Sequence, residues 1–127
     1  MSQPLLDEIL FRSKHPSYRT LPSSQAGLTT CTVRAEHQSC GDSLTLTFYL
    51  RDGIVSYGVI SGNLCAIANC GAELLVERAR GRSLASLSNL SATDLLAGLQ
   101  FDATSLLANP VRLRCFELGL QALRSRQ

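Results

Sequence analysis

Residues 43–61, SLTLTFYLRDGIVSYGVIS, decide the fold of this 127-residue chain. In the first eight positions large apolar side chains alternate with serine, threonine and tyrosine, which is typical of a β-strand with one buried face. The Asp52-Gly53 pair that follows favours a tight hairpin turn, because glycine accepts a positive φ. We therefore predict a strand over residues 43–50 that returns antiparallel over residues 54–61.

A further strand is predicted just before this hairpin. Residues 29–36 alternate more loosely, with Cys31, Val33 and Ala35 as the apolar set. Together the three segments predict a three-stranded antiparallel meander.

Helical patterns stand on both sides of the predicted sheet. Residues 4–12 carry leucine and isoleucine at helical spacing behind a proline, which predicts a short amphipathic N-terminal helix. Residues 63–81, NLCAIANCGAELLVERARG, predict a longer helix that Asn63 caps and Gly81 ends. Cys65 then falls in the first turn, where the helix dipole favours a thiolate.

The later part of the chain also contains helix signals. Ser91 and Asp94 have the spacing of a capping box, so a helix is predicted to begin there. Asn109 and the proline after it can cap and start a closing helix, PVRLRCFELGLQALRSR. Cys115 lies in the second turn of that predicted helix.

Two segments between these helices have weaker patterns. The serine-rich residues 83–91 are interpreted as a connector, and residues 101–109 fit either a helical turn or a loop. The expected fold class is α+β: a three-stranded antiparallel β-meander packed against helices, with an N-terminal helix and a C-terminal helix. A chain of 127 residues can bury a core without metal or disulfide staples, so residues 1–127 are expected to form a single domain.

Charge and cysteine content argue against several classes of protein. Twelve basic and ten acidic residues are scattered for a formal net charge of +2, which is unlike the concentrated basic face of a nucleic-acid-binding protein. The opening MSQPLLDEILFRSK mixes charges with its leucines, so we expect neither a signal peptide nor a membrane span. Five cysteines are an odd number, and reduced thiols in the cytoplasm are expected rather than a disulfide framework.

A candidate site lies in HQSCGDSLTL, residues 37–46. Cys40 and Asp42 come just before the alternating strand, whereas a buried structural cysteine would stand within it. In a meander, the turn between the first two strands and the end of the third strand lie at the same end of the sheet. Because neighbouring strands are about 4.8 Å apart, Cys40, Asp42 and Cys65 are expected to converge there. This topology does not place Cys115.

These four residues also have a plainer interpretation. Cys40 and Asp42 could form a simple loop turn, in which the carboxylate only caps the loop. Cys65 and Cys115 could be small buried residues on the apolar faces of their helices.

The other cysteines and the histidines are expected to have structural or surface roles. Cys31 is interpreted as a core residue or a spare thiol. Cys70 lies about 140° around the predicted helix from the first-turn cysteine, so it is expected to serve packing. His15 and His37 are expected at the surface, and His37 is an outside candidate for a fourth metal ligand.

Three segments carry a resemblance to a known family: SCGDSLTLTFYL (39–50), SGNLCAIANCGAELLVERARGRSLASL (61–87) and NPVRLRCFELGLQAL (109–123). In order and spacing they resemble the U-type iron–sulfur cluster assembly family, which includes IscU, SufU and the amino-terminal domain of NifU. KHPSYRT, residues 14–20, is similar to the family's Asn-Pro-Arg-Asn segment more weakly. The resemblance implies that Cys40, Cys65 and Cys115 are ligand cysteines, and that Asp42 completes or modulates their site.

The chain also departs from the family pattern. Arg114 stands where the chaperone-linked branch has a histidine, and ANPVR (108–112) stands where that branch has Leu-Pro-Pro-Val-Lys. Binding of an Hsp70-type chaperone is therefore not expected. The SufU branch also lacks this histidine but usually has a longer insertion before the last cysteine, which is largely missing here. Both the IscU-like and the SufU-like branch stay open.

The resemblance implies a scaffold that accepts sulfur from a cysteine desulfurase and passes a transient cluster, of the [2Fe-2S] type, to acceptor proteins. Thiolates bind both iron–sulfur clusters and zinc, so Zn²⁺ can occupy the same site formed by Cys40, Asp42, Cys65 and Cys115. The alternative is a SufU-like zinc-dependent sulfurtransferase with Cys115 as the candidate persulfide acceptor, so the chain could be a carrier or an enzyme. A structural zinc module that mediates protein contacts is a third hypothesis.

Overall fold

The computed structural model describes residues 1–126 as a three-stranded antiparallel sheet with helices packed against it. This architecture confirms the predicted α+β fold class. None of the helices in this part of the chain is long and apolar enough to cross a bilayer. In chain order the elements are α1 (Gln3–Lys14), β1 (Thr29–His37), β2 (Asp42–Arg51), β3 (Ile54–Asn63), α2 (Ala66–Ala79), α3 (Ala92–Leu96), α4 (Pro110–Phe116) and α5 (Leu118–Arg124), with 3-10 helices at Leu84–Asn89 and Thr104–Ala108.

The sheet has the order β1-β2-β3 of the predicted meander. Asp52 and Gly53 form the β2–β3 turn with φ values of 53° and 79°, and the hairpin turn that suits twisted strands requires positive φ at both central positions. Leu44, Leu46 and Phe48 are at most 1% exposed, so the alternating face of β2 is buried as predicted. The helices α2 and α5 pack on the sheet.

The pairing of β1 with β2 shapes the end of the sheet where the candidate site lies. His37 is the cross-strand partner of Asp42, which extends both predicted strands by one residue. In the turn between them, the Cys40 N–H donates to the His37 carbonyl oxygen at 3.1 Å. Gly41 has a φ of 70°, which a residue without a Cβ adopts at little cost. His37 and Asp42 are therefore direct neighbours at the foot of the turn.

The start of α2 differs from the predicted one. Asn63 is the last residue of β3 and pairs with Ser43, so it does not cap the helix. Cys65 is the N-cap instead, and its Sγ accepts from the Ala68 N–H at 3.4 Å. The prediction that Cys65 lies in the first turn is thus wrong, because strand pairing extends as far as Asn63 and delays the helix.

The predicted helix beginning after residue 108 is present, with one break. Asn109 caps it as predicted, since its Oδ1 accepts from the N–H groups of Val111 and Arg112, both at 3.1 Å. The helix does not run on continuously, because Glu117 departs from helical geometry at φ −87° and ψ 6° and separates α4 from α5. Cys115 lies near the end of α4.

A close approach of α4 to α2 fixes where Cys115 lies. Gly71 of α2 faces the backbone of Phe116, and a Cβ added to Gly71 would overlap the Phe116 carbonyl oxygen. Only a glycine permits this contact. Cys115 is the residue next to Phe116, so the same contact fixes the position of Cys115.

The two segments with weak sequence patterns, residues 83–91 and 101–109, contain short helices that contribute to the core. The predicted connector over residues 83–91 contains the 3-10 helix that buries Leu84 and Leu87. The ambiguous segment 101–109 contains the second 3-10 helix. Ser91 and Asp94 form the predicted capping box, with the Ser91 hydroxyl accepting from the Asp94 N–H and the carboxylate accepting from the Ser91 N–H.

A polar network holds α1 against α2. Arg12 Nη1 donates to Glu73 Oε1 at 3.0 Å and to Glu77 Oε2 at 2.9 Å. The Glu73 side chain is only 1% exposed, whereas that of Glu77 is 40% exposed. The second Glu73 oxygen accepts from the Ser17 N–H at 2.9 Å and from Asn69 Nδ2 at 3.3 Å. Burial of Glu73 is thus compensated at both of its oxygens.

Candidate metal centre

The turn between β1 and β2 carries two buried polar side chains at its foot and one exposed thiol at its tip. Asp42 is 4% exposed and His37 is 8% exposed, whereas Cys40 is exposed. The expectation that His37 is a surface residue is wrong, because its cross-strand pairing with Asp42 turns both side chains toward the helices. The turn therefore aims an imidazole, a carboxylate and a thiol at one place.

The two oxygens of Asp42 have different surroundings. Oδ1 accepts a hydrogen bond from the backbone N–H of Cys65 at 2.8 Å. Oδ2 is buried and has no hydrogen-bond partner among the residues that the structure describes. An unpartnered buried carboxylate oxygen is costly, and a cation bound to it would remove that cost. This oxygen is the feature that best fits a metal ligand.

Cys115 reaches the same place from α4. It is 4% exposed, and its Sγ lies 3.4 Å from Cys40 Sγ and 3.4 Å from His37 Nδ1. One ligand atom from each of His37, Cys40, Asp42 and Cys115 lies within 4.8 Å of the others. Zinc–sulfur bonds of about 2.3 Å put two thiolates of one tetrahedral ion about 4 Å apart. The four groups therefore have the spacing of ligands to a single ion.

Cys65 borders this group without belonging to the compact set. Its backbone amide contacts Asp42, and its Sγ is engaged by the Ala68 N–H at the start of α2. Its thiol is nevertheless near enough to Cys115 to influence that thiol's ionisation. Of the four residues named from sequence, the structure thus gathers Cys40, Asp42 and Cys115 closely, with Cys65 beside them.

The protein environment disfavours thiolates at Cys65 and Cys115 when no cation is bound. Burial, followed by the neighbouring thiols of Cys40 and Cys65, raises the pKa of the Cys115 thiol from 9.0 to about 12. Burial also raises the pKa of Cys65, and the Ala68 N–H offsets this only in part. The expectation that the helix start favours a thiolate there is wrong, since burial outweighs it. A bound divalent cation would reverse both shifts.

His37 has a defined partner on each side of its ring. Its Nδ1 faces Cys115 Sγ, and its Nε2 lies 3.0 Å from the hydroxyl oxygen of Ser39. The sequence does not predict this contact of Ser39, because a polar residue in a turn offers no local signal of such a role. Its contact fixes the ring so that one nitrogen points into the site.

The remaining cysteines and histidine lie apart from the compact set. Cys70 is fully buried in the core, and burial raises the pKa of its thiol to about 12. Cys31 is half-buried and packs against the core from β1. His15 is exposed and stacks beside Phe11 at a centroid distance of 4.6 Å.

Comparison with known proteins gives a curated relative. No family model matches the chain. The iron–sulfur cluster assembly scaffold protein IscU of Thermotoga maritima is 31% identical over an alignment of 97 positions, and the match covers 68% of this chain and 68% of that protein.

Solved structures share the fold over nearly the whole chain. A structure described as a SUF-system iron–sulfur cluster assembly scaffold, from Fervidobacterium islandicum AW-1, matches with a TM-score of 0.68 at 20% identity, covering 97% of this chain and 93% of that one. A hypothetical protein matches with a TM-score of 0.69 at 18% identity, covering 98% and 96%. The N-terminal part of a NifU-like protein from Brucella abortus matches with a TM-score of 0.60 at 15% identity, covering 92% and 87%. At these identities the matches concern the fold alone.

Proposed function

The chain belongs to the U-type iron–sulfur cluster scaffold family, and on that basis we propose that it assembles a transient iron–sulfur cluster and passes it to acceptor proteins. The proposed ligands are Cys40, Asp42, Cys65 and Cys115. The cluster, of the [2Fe-2S] type, is the cargo of the protein. A cytoplasmic setting, where thiols stay reduced, suits this role.

The observation that carries the proposal is the unpartnered Oδ2 of Asp42, whose carboxylate is grouped with the thiols of Cys40 and Cys115. Its burial without a hydrogen bond is explained if iron is its partner. The Sγ atoms of Cys40 and Cys115 are 3.4 Å apart, and the backbone N–H of Cys65 donates to the other oxygen of the Asp42 carboxylate. These positions support a ligand set of three thiolates and one carboxylate.

The mixed ligand set suits a cluster that must leave. Thiolates are soft ligands that hold iron–sulfur clusters firmly, whereas a carboxylate oxygen is a hard ligand that holds them less firmly. The exposed position of Cys40 also leaves one side of the site open to a partner protein. Both features favour transfer over permanent storage.

Sulfur would come from a cysteine desulfurase that carries a persulfide. The thiolate of a site cysteine, with Cys115 as the candidate, attacks the outer sulfur of that persulfide. A new sulfur–sulfur bond forms on this chain, and the desulfurase cysteine leaves as a thiolate. The step transfers one sulfur atom and needs no further oxidant.

A second candidate function is a zinc-dependent sulfurtransferase. The specific observation in its favour is the compact set of four ligand atoms within 4.8 Å, which fits one ion better than a two-iron cluster. In this function zinc would hold the thiols, and Cys115 would accept and pass on persulfide sulfur.

Anaerobic reconstitution with iron and sulfide, followed by absorption and Mössbauer spectroscopy, separates the two functions. A scaffold gives a cluster on the wild type, and the alanine variants of Cys40, Cys65 and Cys115 each lose it. Cys70→Ala is a matched control that removes a buried thiol outside the site, and it should retain the cluster. A wild-type protein that binds zinc but forms no cluster would refute the scaffold function.

A second experiment locates the sulfur. The protein is incubated with the desulfurase and cysteine, and mass spectrometry identifies the cysteine that gains one sulfur atom. We expect persulfide on Cys40, Cys65 or Cys115. Persulfide found on Cys31 or Cys70 alone would show that the proposed site does not receive sulfur.

A further inference from the structure

We propose that His37 is a metal ligand of this site and that it takes the place of Cys65 when the site holds one divalent ion such as Zn²⁺. The ion would then be bound by His37, Cys40, Asp42 and Cys115. This inference deepens the proposed function and rests on it for the existence of a metal site. It adds a ligand that the three-cysteine, one-aspartate set does not contain.

The hairpin register brings the imidazole to the site. His37 is the cross-strand partner of Asp42, and both side chains are more than nine-tenths buried. The ring nitrogen Nδ1 lies 3.4 Å from Cys115 Sγ, the distance expected between two ligand atoms of one tetrahedral ion. The imidazole therefore needs little movement to bind an ion held by Cys115.

The opposite side of the ring is arranged as in metal-binding histidines. Such histidines donate their second ring N–H to an oxygen, and this hydrogen bond fixes the tautomer and the ring orientation. Nε2 of His37 lies 3.0 Å from Ser39 Oγ, which can accept that hydrogen bond. With the proton on Nε2, the lone pair of Nδ1 points toward Cys115 and is free to bind a cation. Ser39 is thus a positioning residue.

Cys65 is held differently. Its Sγ accepts from the Ala68 N–H at the start of α2, and its backbone N–H donates to Asp42. Its thiol also interacts with the side chains of Asp42 and Cys115, so it borders the site from the helix cap. Among residues 1–126, the group of ligand atoms lying within 4.8 Å of one another includes His37 and not Cys65. A single ion can therefore complete its coordination with His37 while Cys65 stays at its helix cap.

Two ligand sets follow that share Cys40, Asp42 and Cys115. The fourth ligand is His37 for a single ion and Cys65 for the proposed cluster. Because a two-iron cluster is wider than one ion, it can reach the more distant thiol of Cys65. His37→Gln should consequently impair zinc binding more than cluster assembly, whereas Cys65→Ala should impair cluster assembly more than zinc binding.

The test combines zinc titration with a direct view of the imidazoles. The chain has two histidines, so His15 is the matched control for His37. Zinc affinity is measured by competition with a chromophoric chelator for wild type, His37→Gln, His15→Gln and Cys65→Ala. The ring ¹⁵N shifts of wild type are recorded without and with zinc. Cluster formation is measured on the same four proteins by anaerobic reconstitution.

We expect His37→Gln to weaken zinc binding by more than about tenfold, the loss typical of even an outer hydrogen-bond partner of a metal ligand. His15→Gln should leave the affinity unchanged, and Cys65→Ala should change it less than His37→Gln does. Zinc should shift the Nδ1 resonance of His37 and leave His15 unaffected. This NMR result on wild type does not depend on whether any variant folds.

An unshifted His37 ring, or a larger zinc loss in Cys65→Ala than in His37→Gln, would overturn the inference. If clusters still formed on wild type in that case, the scaffold function would stand without His37. If zinc bound through His37 while wild type formed no cluster, the scaffold function would fail and the His37 assignment would stand.

Discussion

The backbone N–H of Cys65 donates a hydrogen bond of 2.8 Å to Asp42 Oδ1. One oxygen of a buried carboxylate thus joins the start of β2 to the start of α2, while the other has no partner in residues 1–126. Asp42 therefore has a structural role and a candidate metal-binding role, one for each oxygen.

These two roles can be separated by paired substitutions of Asp42. Asp42→Asn keeps an acceptor for the Cys65 amide but presents an NH₂ group in place of the second oxygen. We expect the metal-free variant to unfold at nearly the wild-type denaturant concentration and to bind zinc more weakly. Asp42→Ala also loses the hydrogen bond, which should cost about 1 kcal/mol more in the free energy of unfolding. Equal stability of the two metal-free variants in urea would show that the hydrogen bond does not stabilise the fold.

Substitution of Gly71 tests whether the packing of α4 against α2 determines the position of Cys115 in the candidate site. In Gly71→Ala the new methyl group overlaps the Phe116 carbonyl oxygen, so α4 must move and Cys115 moves with it. We expect a loss of about 3 kcal/mol in the free energy of unfolding together with weaker zinc binding. Gly98→Ala is the control, since its added Cβ would lie 3.5 Å from the nearest atom, Leu95 O. A Gly71→Ala variant as stable as Gly98→Ala would contradict the observed contact between α2 and α4.

The polar network between α1 and α2 offers another matched pair. Glu73 and Glu77 both accept from Arg12 Nη1, but Glu73 is buried and Glu77 is 40% exposed. Glu73→Gln leaves the donors from Arg12, Ser17 and Asn69 facing a neutral amide. This substitution should lower the free energy of unfolding by about 3 kcal/mol. Glu77→Gln should cost less than about 1 kcal/mol, because exposed ion pairs contribute little. Urea unfolding measures both, and equal losses would refute the role assigned to burial.

The buried thiol of Cys70 should make the stability of the fold depend on pH. Burial raises the pKa of its thiol from 9.0 to about 12 in the folded protein. The unfolded chain therefore loses this proton first as the pH rises, so the contribution to stability is complete below pH 9.0 and declines toward pH 12. Near neutral pH, wild type should be more stable than Cys70→Ala by about 1 kcal/mol, from packing. The difference should shrink above pH 9.0, as measured by urea unfolding with reductant present. A stability difference between wild type and Cys70→Ala that does not change with pH would show that folding does not raise the pKa of this thiol.

The features that the sequence predicts correctly have determinants within a few residues of each other. The turn at Asp52 and Gly53, the capping box of Ser91 and Asp94 and the cap at Asn109 all depend on local backbone geometry or on hydrogen bonds spanning two or three residues. Such interactions form wherever the sequence places the right side chains. The alternation in β2 is similarly local, which is why its buried face was predictable.

The start of α2 and the detailed site depend on contacts between distant segments. Asn63 fails as a cap because β3 continues its pairing with Ser43, a competition that the helix sequence does not reveal. His37 could have been found by counting the hairpin register back from Asp42. The position of Cys115 could not, because it depends on how Phe116 meets Gly71 and no residue near Cys115 signals that contact.

If this chain delivers a cluster as proposed, the unequal exposure of Cys40 and Cys115 would give that delivery an order. Cys40 is exposed at the tip of its turn, whereas Cys115 is 4% exposed beneath it. On the proposed function, an incoming cysteine of an acceptor meets the Cys40 side of the cluster first, so Cys40 is the first of the three cysteines displaced and Cys115 the last. A transfer intermediate trapped part-way would then be bridged to this chain through Cys115, so that the departing cargo stays attached until the acceptor already holds it.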